Sequence, residues 1–283
     1  MSAAAIDATI ENARESIDDL SEATRVVPLG DGVFGLRIAE GWRQGRGAFG
    51  GIVMGALARA IGACEEDTER VFRTLTGAIA APAMVGDATI EVIEMRRGSA
   101  VSTFDATLLQ NGEILARATA VLGRVRRDAR RILPDNPPPP PASPWADLNI
   151  APLRAPFAPE FAQHFEFRPL GALPFTGAQE PTADGYVRPR RCASPLGAPE
   201  IVALADAWWP ASFAIEPAAR PIATVAFTIQ FSPSEAPLLA SSPLRHRARA
   251  VAAQDGYVVE FRELWTGEGA LVALNQQTFV VIR

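Results

Sequence analysis

The chain contains no lysine. All 27 basic residues are arginine, set against 32 acidic residues for a net charge of −5. The arginines fall in pairs and short clusters, at Arg96-Arg97, Arg124 to Arg131 and Arg188 to Arg191. None forms a continuous basic face, which argues against nucleic acid as a partner. Solvated surface charge accounts for such clusters, and a phosphorylated small molecule is the other ligand they suit. Cysteine is equally scarce: Cys64 and Cys192 lie far apart and fit neither zinc nor redox spacing. No apolar run reaches the roughly 20 residues of a membrane span. The opening MSAAAIDATIENARESIDDL carries acids throughout and lacks the apolar core of a secretory signal. A cytoplasmic protein without metal or redox cofactor is expected, with no nucleic-acid or membrane partner. There is no G-x-S-x-G string, and His164 and His246 stand in no triad context, so nothing points to a covalent nucleophile.

What is present is a well-stocked core, with 48% hydrophobic and 21% charged residues. Ile6, Ile10, Ala13 and Ile17 recur at helical spacing and predict an opening helix to about Ser21. Two strand candidates follow, ATRVVPLG and GVFGLRIA, around a turn at Gly30-Asp31-Gly32. GRGAFGG then feeds into IVMGALARAIGACEE, a helix apolar nearly all round and therefore buried on most sides. Glycines at its start, Gly50 and Gly51 among them, suit either a tight turn or the close approach of a ligand oxygen to free N–H groups. Three strand-like runs come next in meander order, the last entered through Asn111-Gly112, a strong hairpin signal.

Residues Pro134 to Pro144, PDNPPPPPASP, break the pattern and predict a semi-rigid polyproline spacer. Beyond it the order restarts: FAQHFEFRP and DGYVRPR as strands, a buried helix from Ile201 to Trp209, then PIATVAFTIQFSP, HRARAVAAQDGYVVEFRELW and GALVALNQQTFVVIR. Placing Gly112 on Gly269 superposes the last strand on NGEILARATAVLGRVR, so the chain reads as an internal duplication. The expected fold class is α+β, an antiparallel sheet wrapped around a central helix, made twice. The expected domains are 1–133 and 160–283, joined by a Pro-rich linker at 134–159.

Two polar features are anomalous on their own terms. Asp206 is a lone carboxylate in an apolar helix just before Trp208-Trp209, where burial is costly unless hydrogen bonds or an opening relieve it. Its alternative role is a cap or ion pair near the helix C-terminus, where the helix dipole disfavours acids. The last strand carries three amides in a row, Asn275, Gln276 and Gln277, while its internal copy carries none. In the duplicated frame Gln277 falls on Ala120 and Asp206 on Arg59, so the polar pair is expected in one half only and implies one site per chain.

The strings AFGGIVMGALARAI, FEFRP, YVRPR, ADAWWP, PIATVAFTIQF and GALVALNQQ, in that order, resemble the double hot-dog acyl-CoA thioesterases of the bacterial thioesterase II type. The resemblance covers about Ala23 to Arg126 and Phe161 to Arg283. It implies two tandem hot-dog domains, an acyl-CoA substrate hydrolysed to acid and CoA, and a homo-oligomer of two or more chains. It also implies a water held by a helix Asp, a strand Thr and a terminal-strand Gln. Carried over by position these are Asp206, Thr224 and Gln277, with Thr228 competing for the threonine place. Period-two alternation puts Thr224, Ala226, Thr228 and Gln230 on one face. Gly50, Gly51, Thr228 and Trp208 are expected to contact substrate, Gly50-Gly51 by offering N–H groups to the oxyanion. A hot-dog enoyl-CoA hydratase would call for an Asp–His pair, and no His lies near Asp206 in sequence or in the matching strands. A non-catalytic acyl-CoA binding protein would use the same polar lining.

Overall fold

In the computed structural model the described residues are 17–282, apart from 127–128, 131, 133, 135–136, 141–142, 154–157 and 233–235. Most of the expected opening helix, and Arg283, lie outside them.

The first half contributes β1 (Val26–Gly30), β2 (Val33–Ile38), the two-residue pair β3 (Arg43–Gln44) and β4 (Gly47–Ala48), and the long helix Gly50–Cys64. Four long strands follow: β5 (Arg70–Ile79), β6 (Gly86–Arg97), β7 (Val101–Gln110) and β8 (Glu113–Arg124). The second half contributes β9 (Phe165–Pro169), β10 (Thr182–Pro189), the helix Ala198–Asp206, and β11 (Ile222–Phe231) through β12 (Leu244–Gln254), β13 (Tyr257–Trp265) and β14 (Leu271–Val281). A short helix, α1 (Leu20–Ala23), precedes β1, capped by the Asp19 carboxylate accepting from the Ser21 and Glu22 N–H groups. The two longer helices, Gly50–Cys64 and Ala198–Asp206, are α2 and α3.

Turn chemistry sets the hairpins. Asn111-Gly112 and Asp255-Gly256 take paired positive φ values of 53° and 83°, and of 54° and 83°, the mirror-image turn that matches strand twist. All strands but β3 and β4 join one antiparallel sheet in the order β1-β2-β6-β7-β8-β5-β11-β14-β13-β12-β10-β9. The sequence reading places one sheet in each half. Instead β5 and β11 pair directly, Thr76 opposite Thr228, so the sheet runs unbroken through both. Strand-to-strand pairing between distant segments leaves no local signature, which is why periodicity alone misses it.

Helices α2 and α3 pack antiparallel against each other. A Cβ on Gly51 would stand 3.0 Å from Ala203 Cα, and one on Gly55 2.9 Å from the Pro199 carbonyl. Glycine at both positions is what lets the helices close. The start of α2 therefore meets the end of α3. The segment expected as a semi-rigid spacer makes contacts, where described, with the second half: Arg168 donates to the carbonyls of Trp145, Ala146 and Leu148, and the Ala151 N–H to the Phe167 carbonyl.

Candidate active site

Helix α3 begins with Gly197 as cap, its N–H donating to Glu200, and stops at Asp206 ahead of Trp208-Trp209-Pro210. That stop leaves the last carbonyls without helical partners. Arg262 on β13 takes two of them, donating from Nη1 to the Ala205 carbonyl at 3.1 Å and the Asp206 carbonyl at 3.3 Å. The Asp206 side chain points into the junction with α2 and is 5% exposed. Its Oδ2 lies 2.9 Å from where a Cβ on Gly50 would be. Burial pushes its carboxyl above the ordinary carboxylate range, while the Arg262 charge, the Gln277 amide and the Gly51 N–H pull it back only in part.

Gln277 reaches the same place from β14. It is 1% exposed, accepts from Thr224 Oγ1 at 3.4 Å, and donates through Nε2 to Asn275 Oδ1 at 2.8 Å. Asn275 in turn donates to the Thr228 carbonyl at 2.9 Å. Asp206, Thr224 and Gln277 are thus brought together.

Thr228 is not in this group. The β11–β14 register slips between Thr224 and Ala226, so Val225 bulges. Phe227 then pairs with Gln277, and Thr228 with Gln276 on the opposite face. Only the backbone of Thr228 touches the network. The alternation expected from sequence fails at the bulge, which puts Thr224 on Gln277's face and leaves Ala226, Thr228 and Gln230 on the other.

Gly50 and Gly51 open α2 behind Phe49, which has no side-chain group to cap the first turn. Trp208, expected to contact substrate, is 2% exposed and packed among Phe167, Trp209 and His246 as core beside the site. His246, distant from Asp206 in sequence, comes close through the fold: it stacks on Trp208 with centroids 5.2 Å apart. Its ring is fully buried, held neutral by that burial, and no hydrogen bond joins it to Asp206 among the described residues.

Sequence reasoning missed Asn275, Glu260 and Arg262. Asn275 was legible: two residues from Gln277, it must share its face. Glu260 and Arg262 read as ordinary outward charges in a strand, yet they are 0% and 1% exposed. Two clefts of about 380 and 340 Å³ mark the described surface, and neither is lined by Asp206, Thr224 or Gln277. Among the described residues no group of three or more His, Cys, Asp or Glu side chains could hold a metal, and no helix is long and apolar enough to cross a membrane.

The arrangement is a buried, basic carboxylate beside an amide, a hydroxyl and the start of a helix, a set suited to activating water next to a carbonyl. Residues 134–281 match the family model of the acyl-CoA thioesterase C-terminal domain, and residues 38–123 that of its N-terminal domain. No curated protein matches the chain. Among solved structures, a conserved protein with the hot dog fold from Alicyclobacillus acidocaldarius is 27% identical, with 93% of this chain and 98% of that one covered at a TM-score of 0.81. An acyl-CoA thioesterase II from Mycobacterium marinum is 17% identical, with 93% and 98% covered at a TM-score of 0.72, a likeness of fold.

Proposed function

This chain belongs to the acyl-CoA thioesterase family and is a thioester hydrolase, and we propose that its reaction is run by a water held between Asp206, Thr224 and Gln277. The observation that carries this reading is the buried Asp206 carboxylate, kept more basic than usual at the start of α2, with the Gln277 amide among the groups that moderate it. Asp206 takes a proton from the water as its oxygen attacks the thioester carbon. Gln277 and Thr224 fix the water, and first-turn N–H groups of α2 that Asp206 does not occupy stabilise the oxyanion. Collapse of the tetrahedral adduct breaks the C–S bond, and Asp206 returns the proton to the departing CoA sulfur. The acyl-CoA is the substrate in this scheme.

The proposal extends to the architecture: two tandem hot-dog units, 1–133 and 160–283, with 134–159 between them. Supporting this, Ala120 stands opposite Leu75 and Phe104, just as Gln277 stands opposite Phe227 and Glu260. Arg59, the position matching Asp206, is spent in an ion pair with Glu200 and hydrogen bonds to Thr24. The second place where a site could form is thereby filled, giving one site per chain.

Free-CoA release from a panel of acyl-CoAs tests the assignment. Gln277→Ala is expected to lower kcat by about 10²-fold, the scale of a misplaced reactant. Thr228→Ala, altering only the opposite face, should leave kcat within about twofold, in keeping with surface substitutions of small effect. Equal loss in both variants, or in neither, would remove Gln277 from the site.

A further inference from the structure

Arg262 and Glu260 are buried charges that the water mechanism does not use. Glu260 is fully engaged: one oxygen accepts from Arg262 Nε at 2.7 Å and the other from the Ala211 N–H at 2.7 Å. Arg262 binds Glu260 directly and clamps the two final carbonyls of α3, yet its Nη1 stops 4.0 Å from Asp206 Oδ1. One cation is therefore shared unequally between two carboxylates. Glu260 has the close contacts, and Asp206 has only proximity.

The internal copy shows that the fold itself does not require this pair. In the β7–β8 ladder the positions of Glu260 and Gln277 are held by Phe104 and Ala120, and those of Arg262 and Asn275 by Ala106 and Ala118. All four of these residues are buried and apolar. The same strand geometry packs without charge in the half that lacks the carboxylate.

We infer that Arg262, tethered by Glu260, is the positioning residue of Asp206: it fixes the end of α3 and holds its charge one contact short of the carboxylate, so the reaction's base is neither left unpaired nor neutralised. This rests on the reading of Asp206 as that base. The other groups around the carboxylate carry no competing charge. His246 from β12 is neutral, α2 offers backbone N–H, and β11 and β14 offer only Thr224, Asn275 and Gln277. Burial raises the Asp206 carboxyl and Arg262 lowers it, so removing Arg262 and freeing it to approach move the system in opposite directions.

The test is the pH profile of kcat/KM for acyl-CoA hydrolysis by the full chain. Arg262→Gln removes the nearby cation, and the acid limb is expected to move about one to two pH units upward. Glu260→Gln releases Arg262 to close on Asp206, and the limb is expected to move downward with a lower plateau, because a neutralised base is a weaker one. If Arg262→Gln does not fold, the Glu260→Gln profile decides alone. A plateau lowered in either variant with the limb unmoved means a purely structural role and overturns the inference. Asp206→Asn separates the two levels: full activity in that variant sinks the base assignment itself, whereas an inactive Asp206→Asn with unmoved limbs sinks only the role of Arg262 and Glu260.

Discussion

Asp206→Asn is expected to cut thioester hydrolysis by about 10²- to 10⁴-fold while raising the unfolding temperature at neutral pH. The activity loss follows from replacing a proton acceptor with an amide of the same shape. The stability gain follows from linkage. Burial holds the folded-state pKa of Asp206 above its unfolded value. The folded chain thus binds this proton more tightly, a contribution present at low pH and lost as pH rises through the raised pKa. At neutral pH wild type meets the cost of either burying that charge where water barely reaches or taking up a proton, and asparagine removes that penalty. Arg262 is not orphaned by the change, since it keeps its direct partner Glu260. The gap in unfolding temperature should narrow as pH is lowered through the titration of Asp206. Calorimetry across pH, run beside CoA-release assays, checks both halves. A variant less stable than wild type at neutral pH would contradict the account of Asp206 as a strained, functional charge.

The two glycines that open α2 are expected to fail in different ways. A Cβ on Gly50 would lie 2.9 Å from Asp206 Oδ2 and 3.2 Å from Ile79 Cδ1. Both contacts are side-chain ends that can give way, so Gly50→Ala should fold while displacing the carboxylate. A displacement on the ångström scale predicts a kcat loss of about 10²-fold. A Cβ on Gly51 would meet the Phe49 ring at 2.4 Å and the backbone of Ala203 at 3.0 Å. Neither has room to retreat in the helix–helix interface, and overpacking there should cost about 1–3 kcal/mol. Urea midpoints and CoA-release rates for the two variants separate the effects. Comparable stability losses in both would mean that Gly50 serves packing and not the site.

The path from sequence to site was open where local chemistry governs. The Asn111-Gly112 and Asp255-Gly256 turns, the all-round apolar α2 and the lone carboxylate of α3 each announce themselves through one residue's own preferences. The contrast between Gln277 and Ala120 emerged because the chain supplies its own comparison. What escaped depends on neighbours distant in sequence. The Val225 bulge is invisible to period-two counting and exchanges the faces of Thr224 and Thr228. The β5–β11 pairing depends on both halves being folded. Glu260 and Arg262 look like surface charges until β13 is seen to turn them beneath the end of α3. Asn275 is the exception: once the internal copy singles out Gln277, strand alternation places Asn275, two residues away, on the same face.

The most direct test of the central claim is a single turnover in ¹⁸O-labelled water with enzyme in excess of an acyl-CoA. Attack by a water that Asp206 deprotonates places one solvent ¹⁸O in the carboxylic acid of the first turnover and none in the protein. Product formed with unlabelled oxygen, and ¹⁸O recovered in the Asp206 side chain, would mean that the carboxylate itself attacked the thioester, contradicting the water mechanism.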